Sequence, residues 1–108
     1  MIMNLVESYT VEKYIDGAAS FAIHYYHDDT NLAILTSLNI KPKHRGKGLG
    51  TITLKKAEQL CLTKGFSRIA LQVQRNTWMH GWYKRHGYNE YEASDCLTNV
   101  WLIKEIFT

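Results

Sequence analysis

The chemistry of this chain concentrates in one run, Lys43-His44-Arg45-Gly46-Lys47-Gly48-Leu49-Gly50-Thr51. Glycine stands at alternate positions 46, 48 and 50, where a missing Cβ lets backbone N–H groups approach a ligand closely. An apolar run, 32–40, precedes the turn, and an amphipathic run, 49–64, follows it. The turn's N–H groups therefore open a helix, whose unsatisfied donors and dipole favour an anion. Arg45 and Lys47 add positive charge, and Lys41, Lys43 and His44 could steer phosphates or form an ordinary solvated rim. The run lacks the Gly-Lys-Ser/Thr ending of a Walker loop and the G-x-G-x-x-G spacing of a dinucleotide fingerprint. It reads R-x-x-G-x-G at Arg45, Gly48 and Gly50: a phosphate cradle, with a plain glycine-rich surface turn as its alternative.

A second constellation, Asn76 to Tyr88, begins 26 residues after Gly50 and reads N-x-x-x-x-x-x-Y-x-[KR]-x-G-[FY]. Trp78 and Trp82 share one helical stripe; with Tyr88 and Trp101 they either line an acceptor pocket or fill the core. His80 and His86 have no partner at a metal-binding spacing, so no metal is expected.

The elements that must position these residues are legible from pattern. Alternation over 5–14, with Tyr9, Val11 and Ile15 on one face, predicts a strand; Asp16-Gly17 a tight turn; 18–26 the second arm of a hairpin; and His27 to Asn31 another turn. The run 32–40 predicts a strand buried on both faces. The helix 49–64 is expected to bury Leu49, Ile52, Thr53, Ala57, Leu60 and Cys61, to turn Lys55, Glu58 and Gln59 to water, and to end on Gly65 as a left-handed cap. A short strand over 69–74, a second helix from Asn76-Thr77 to about Arg85 or His86, and strands over 88–91 and 97–107 complete the order. The class is α/β with a mixed sheet.

At 108 residues the chain is expected to be one domain spanning 1–108. A net charge of +3 suits an anionic ligand. A nucleic-acid groove would need a continuous Lys/Arg stripe, which Glu7, Glu12, Asp16, Asp28 and Asp29 interrupt. Cys61 and Cys96 form neither a disulfide framework nor a metal pattern. No apolar run approaches the ~20 residues of a membrane span, and no signal peptide is apparent, so a cytoplasmic protein is expected.

Together the two motifs resemble the GNAT superfamily of N-acyltransferases, closely over Leu32 to Tyr88 and again in the final strand, 99–104. The resemblance implies a GNAT-like fold, with a mostly antiparallel central sheet, a splayed parallel pair and two main helices. It implies acetyl-CoA as acyl donor and direct attack by a primary amine, without a covalent enzyme intermediate. Gly46, Gly48, Leu49, Gly50 and Thr51 would hold the pyrophosphate through their amides, assisted by Arg45 and Lys47. Leu38, Asn39 and Ile40 would pair with the pantetheine arm through their main chain, and Asn76 would reach it from the end of the next strand. Tyr83 would protonate the departing thiolate, a role a phenol at hydrogen-bond distance can fill; its alternative is a core aromatic with a paired hydroxyl.

The chain also departs from the pattern. Relatives often place a glutamate on the strand before the turn, and 32–40 contains no carboxylate. His24, His27, Glu12 or water would have to take the amine's proton. Relatives also carry helices ahead of the hairpin that wall the acceptor site; without them the groove is open to a protein amine or completed by a second subunit in a homodimer. Gly81 inside the second helix costs roughly 1 kcal/mol against Ala, which close packing against the cofactor or a strand would explain. Met79 in place of a small residue would narrow the pantetheine tunnel. Two competing readings are a catalytically inactive GNAT-like module that binds CoA or a protein, and a small nucleic-acid-binding protein.

Overall fold

A computed structural model describes residues 9–27, 31–91 and 98–106. They form strands β1 (Tyr9–Ile15), β2 (Ala19–Tyr26) and β3 (Leu32–Ile40), helix α1 (Leu49–Thr63), strand β4 (Arg68–Gln74), helix α2 (Trp78–Arg85), and strands β5 (Asn89–Tyr91) and β6 (Asn99–Glu105). The ends of the expected first and last strands, 5–8, 97 and 107, lie outside the described residues, as does Cys96. The strands make one six-stranded sheet in the order β1-β2-β3-β4-β6-β5, in which only β3 and β4 pair in parallel.

Both helices pack on the face carrying Phe21, Ile23, Tyr25, Ala33, Leu35, Ile69, Leu71, Val100 and Leu102, and Tyr83 and Tyr88 join that core with Leu54, Ala57 and Cys61. The alternate residues, among them Ala22, His24, Ile34, Thr36 and Trp101, are half-buried, and Gln72 is exposed. β3 is thus buried on one face, not both. Its apolar run reflects a splay that leaves Ile34 and Leu38 against a cleft rather than under a second layer.

Two further expectations are corrected. In β1 the core-facing residues are Glu12 and Tyr14, which lie opposite Ile23 and Phe21, whereas Val11 and Ile15 are exposed. The polar ends of Glu12 and Tyr14 explain the inversion. Glu12 accepts a 2.6 Å hydrogen bond from the buried Tyr25 hydroxyl, and Tyr14 stacks on Phe21 while donating to Asp16 at 2.6 Å. In α1 the buried stripe is Thr53, Leu54, Ala57 and Cys61, and Ile52 is exposed. Glu58 does not face water: it accepts from the Tyr88 hydroxyl at 2.8 Å and pairs with Lys104 at 3.2 Å. Gly65 adopts the left-handed conformation expected at the end of α1, with Phe66 buried behind it.

Candidate active site

The site grows from a fault in the sheet. β3 and β4 pair only from Leu32↔Arg68 to Ile34↔Ala70. Beyond that, β3 carries an extra residue against β2, because Ser20↔Asn39 and Ala22↔Thr36 leave two residues of β3 against one of β2. Ser37 sits at this bulge with φ 60. A bulge bends its strand and raises the local twist, which turns β3 away from β4. The gap is a cleft of about 520 Å³ lined by Ile34 to Leu38 and Leu71 to Gln74, with Thr77, Met79, Tyr83 and Trp101. Tyr83 and Met79 come from the helix side, and Thr36, Gln72 and Trp101 belong to the opposite face, so the cleft passes through the sheet.

After β3 the chain makes a 3-10 turn over Pro42–His44. Gly46 and Gly48 then take φ 78 and φ 79, a region that costs other residues roughly 1–2 kcal/mol. Gly48 is the N-cap of α1, and no side chain caps that helix. Its first N–H groups are left for a ligand with oxygen acceptors. They border a second hollow, of about 590 Å³, lined by Leu38, Asn39, Ile40, His44, Arg45, Gly46, Gly48, Leu49, Gly50, Thr51, Trp78, Met79 and Trp82. The two hollows share Leu38 and Met79. Met79 stands where they meet.

Of the expected binding residues, Leu38, Asn39, Ile40, Arg45, Gly46, Gly48, Leu49, Gly50 and Thr51 therefore share one cavity wall. Lys47 and Asn76 are exposed and do not line it. Arg45 also does structural work: its Nε donates to the Ile40 carbonyl at 2.8 Å, tying the turn to the end of β3. One wall is aromatic, where sequence reasoning left the rings open between an acceptor pocket and the core. Trp78 and Trp82 stack at 6.2 Å beside the turn, on the phosphate side rather than in the through-sheet cleft, where Trp101 lies; Tyr88 is core. The glycine at 50 could have signalled this wall, because a Cβ there would lie 3.1 Å from Trp82 Cζ2.

Hydrogen bonds hold α2 against this wall. His86 Nδ1 lies 2.8 Å from the Trp82 carbonyl and so carries the ring proton, leaving Nε2 to accept from the Thr51 hydroxyl at 2.9 Å. At the other end, Thr77 accepts from the His80 N–H and donates to the Gln74 carbonyl at 2.7 Å. His80 Nδ1 accepts from the Asn76 N–H at 3.0 Å, so Nε2 donates to Glu90 at 3.1 Å. That bond, with Lys84 nearby, holds the Glu90 carboxyl below its usual range. Asn76 itself is left-handed, at φ 62.

Tyr83 is 6% exposed, and burial pushes its phenol up. Tyr25 and Tyr88 are also buried, but each spends its hydroxyl on a glutamate. Among the described residues nothing pairs with the Tyr83 hydroxyl, and no fully buried side-chain polar atom lacks a partner, so its oxygen opens on the cleft. Of the three candidate bases, Glu12 lies under Tyr25 on the helix face and His27 bonds Thr10 at an exposed edge. His24 alone reaches the cleft wall, with Nε2 3.2 Å from Thr36 Oγ1. No helix among the described residues is long and apolar enough to cross a membrane.

Comparison with known proteins identifies the family and the fold. The family model described as Acetyltransferase (GNAT) family matches residues 7–88, about three quarters of the chain. No curated protein matches in sequence. Solved structures share the fold at low identity. The PaiA N-acetyltransferase of Thermoplasma acidophilum, in complex with coenzyme A, is 17% identical with a TM-score of 0.70, over 96% of this chain and 65% of that one. The ribosomal-protein-S18-alanine N-acetyltransferase of Escherichia coli is 19% identical with a TM-score of 0.67, over 94% and 72%. A GNAT family acetyltransferase of Elizabethkingia anophelis with acetyl-CoA bound is 12% identical with a TM-score of 0.70, over 94% and 78%.

Proposed function

The chain belongs to the acetyltransferase (GNAT) family, and on that premise we propose that it moves an acetyl group from acetyl-CoA to a primary amine by direct attack, with Tyr83 as general acid. The observation that carries the proposal is the junction of the two hollows at Leu38 and Met79. A donor whose diphosphate rests on the amides of residues 46–51 can run its pantetheine arm along the unpaired edge of β3 at Leu38 to Ile40, as an added strand would. Its thioester then enters the cleft beside Tyr83. Coenzyme A bound to the Thermoplasma protein and acetyl-CoA bound to the Elizabethkingia protein favour this donor.

The amine comes from the opposite face of the sheet. Its nitrogen attacks the thioester carbon, the C–S bond breaks, and the thiolate takes the proton of the Tyr83 hydroxyl. Burial suits Tyr83 to that task, because it keeps the phenol protonated until a stronger base forms next to it. The proton lost by the amine has a path on its own side, through Thr36 to His24. The net products are an amide and free coenzyme A. Binding of the remote diphosphate supplies orientation rather than chemistry. Lys47 and Asn76, outside the cavity wall, keep at most an outer role: Lys47 as a mobile cation near the turn, Asn76 as a main-chain corner at the end of β4.

The test is incubation with acetyl-CoA and a panel of amines, including peptides with free N-termini and lysine side chains, following free thiol. Thiol release that requires both an amine and Tyr83 supports the proposal. Tight coenzyme A binding with no release for any amine would leave a binding module in its place.

A further inference from the structure

Resting on the acetyl-transfer reading, we propose that the open face of the sheet seats the acceptor, and that this acceptor is a monoamine carrying a flat aromatic group and no second charge. The aromatic group rests on Trp101, and the amine reaches the cleft beside Thr36.

The face away from the helices is built in register. Tyr91 lies opposite Trp101, and Trp101 opposite Gln72, in one row that ends at the cleft. A second row runs alongside it, through Ile103, Ala70 and Ile34. The first row supplies two aromatic rings, and the second is apolar throughout. Both touch the cleft, through Trp101, Gln72 and Ile34. Trp101 is half-buried and Tyr91 is 38% exposed, so aromatic surface stays uncovered on this face. Neighbouring strands are about 5 Å apart, so Trp101 stands one strand beyond the cleft edge at Gln72. That is the reach of a ring joined to its amine by a short alkyl tether. Such a ring gains from burial on the apolar floor and from contact with the indole.

Charge decides against other amines. Among the described residues that line the cleft, Tyr83 alone has an ionisable side chain. Among the described strand residues of the open face, the one carboxylate is Glu105, which lies opposite Arg68 at the far end of the β4–β6 pairing. A second ammonium brought to this mouth gives up water and meets no counter-charge, which disfavours diamines and polyamines. The net charge of +3 adds to their repulsion. The carboxylate of an amino acid is no better placed, because no cation lines the cleft among the described residues. A neutral aromatic body incurs neither cost.

The experiment follows thiol release from acetyl-CoA by the full chain with 2-phenylethylamine, propylamine, 1,4-diaminobutane, free phenylalanine and trialanine. Calorimetry of each amine into the chain loaded with coenzyme A runs beside it. The wild type should show a kcat/KM for phenylethylamine about tenfold or more above each of the others. Trp101→Ala, checked for an unchanged melting temperature, should shrink the phenylethylamine-to-propylamine ratio by about tenfold through KM, and Trp101→Phe should keep most of it. Gln72 is exposed, so Gln72→Glu reads the charge argument independently of Trp101. It should raise the diaminobutane-to-propylamine ratio a few-fold, as an exposed ion pair does. A wild type that prefers diaminobutane, phenylalanine or trialanine, or a ratio indifferent to Trp101→Ala, would overturn the inference while acetyl transfer itself stood. Trp101-dependent binding of phenylethylamine with no thiol release from any amine would keep the seat and sink the transfer reading. Neither binding nor release would remove both.

Discussion

Tyr83, Tyr25 and Tyr88 are all buried tyrosines of one core, yet only Tyr83 keeps its hydroxyl for the cleft. Tyr83→Phe should therefore cost little stability but lower kcat by about 10²-fold or more, the usual contribution of a positioned acid, with coenzyme A affinity unchanged by calorimetry. The pH dependence has a definite sign. The acid must be protonated to work, and burial raises its pKa, so its loss would begin only above the ordinary tyrosine range. The alkaline limb of kcat should stay level to about pH 10. His24 makes a separate prediction, because its Nε2 lies 3.2 Å from Thr36 Oγ1 on the cleft wall. His24→Gln should lower kcat by about 10²-fold at pH 7, while the KM for acetyl-CoA holds. A KM effect with an unchanged kcat would make it a structural residue. The motif around Tyr83 was legible in the sequence. The choice among His24, His27 and Glu12 was not, because it depends on which face of the sheet each strand residue takes.

The decisive elements are the first turn of α1 and the α2 wall beside it. Gly50 lets Trp82 lie against that turn, and the bond between Thr51 and His86 closes the contact from below. Gly50→Ala would place a methyl 3.1 Å from a ring clamped by Trp78, His86 and Tyr83, which cannot simply swing away. The expected result is a lower melting temperature and coenzyme A affinity reduced by about tenfold or more, since overpacking costs about 1–3 kcal/mol. The β1–β2 turn gives a prediction about acid. Asp16 accepts from the Tyr14 hydroxyl and from the Ala18 and Ala19 amides, and these bonds lower its pKa to about 2. A depressed carboxylate stabilises the fold above its unfolded value, near 3.9, and that contribution is lost as pH falls through about 2. Melting temperatures of wild type and Asp16→Asn should thus differ at pH 6 and converge toward pH 2. Helix and strand identities were legible because periodicity survives in them. The inward face of β1 was not, because apolar Val11 and Ile15 point out while Glu12 and Tyr14 point in, each satisfied by a partner far away in sequence or across the turn.

At the scale of the whole molecule, one bulge converts a continuous sheet into a passage with a different chemistry at each mouth. On the helix side lie the glycine turn, Trp78 and Trp82; on the other lie Thr36, Gln72 and Trp101. The glycine turn was legible in the sequence because local spacing encodes a turn. The bulge at Ser37 was not, because a left-handed serine leaves no periodic trace; the Trp78–Trp82 stripe was periodic, but its place beside the turn depends on how two helices pack. The account as a whole depends on the α1 amides receiving the donor's diphosphate. The most direct measurement is an NMR titration of the ¹⁵N-labelled full chain with coenzyme A, following every assigned backbone amide. Large downfield shifts at Gly46, Gly48, Leu49, Gly50 and Thr51 are predicted, with smaller ones along Leu38 to Ile40. Saturable binding that leaves the 46–51 amides unmoved and shifts a different surface would contradict the account.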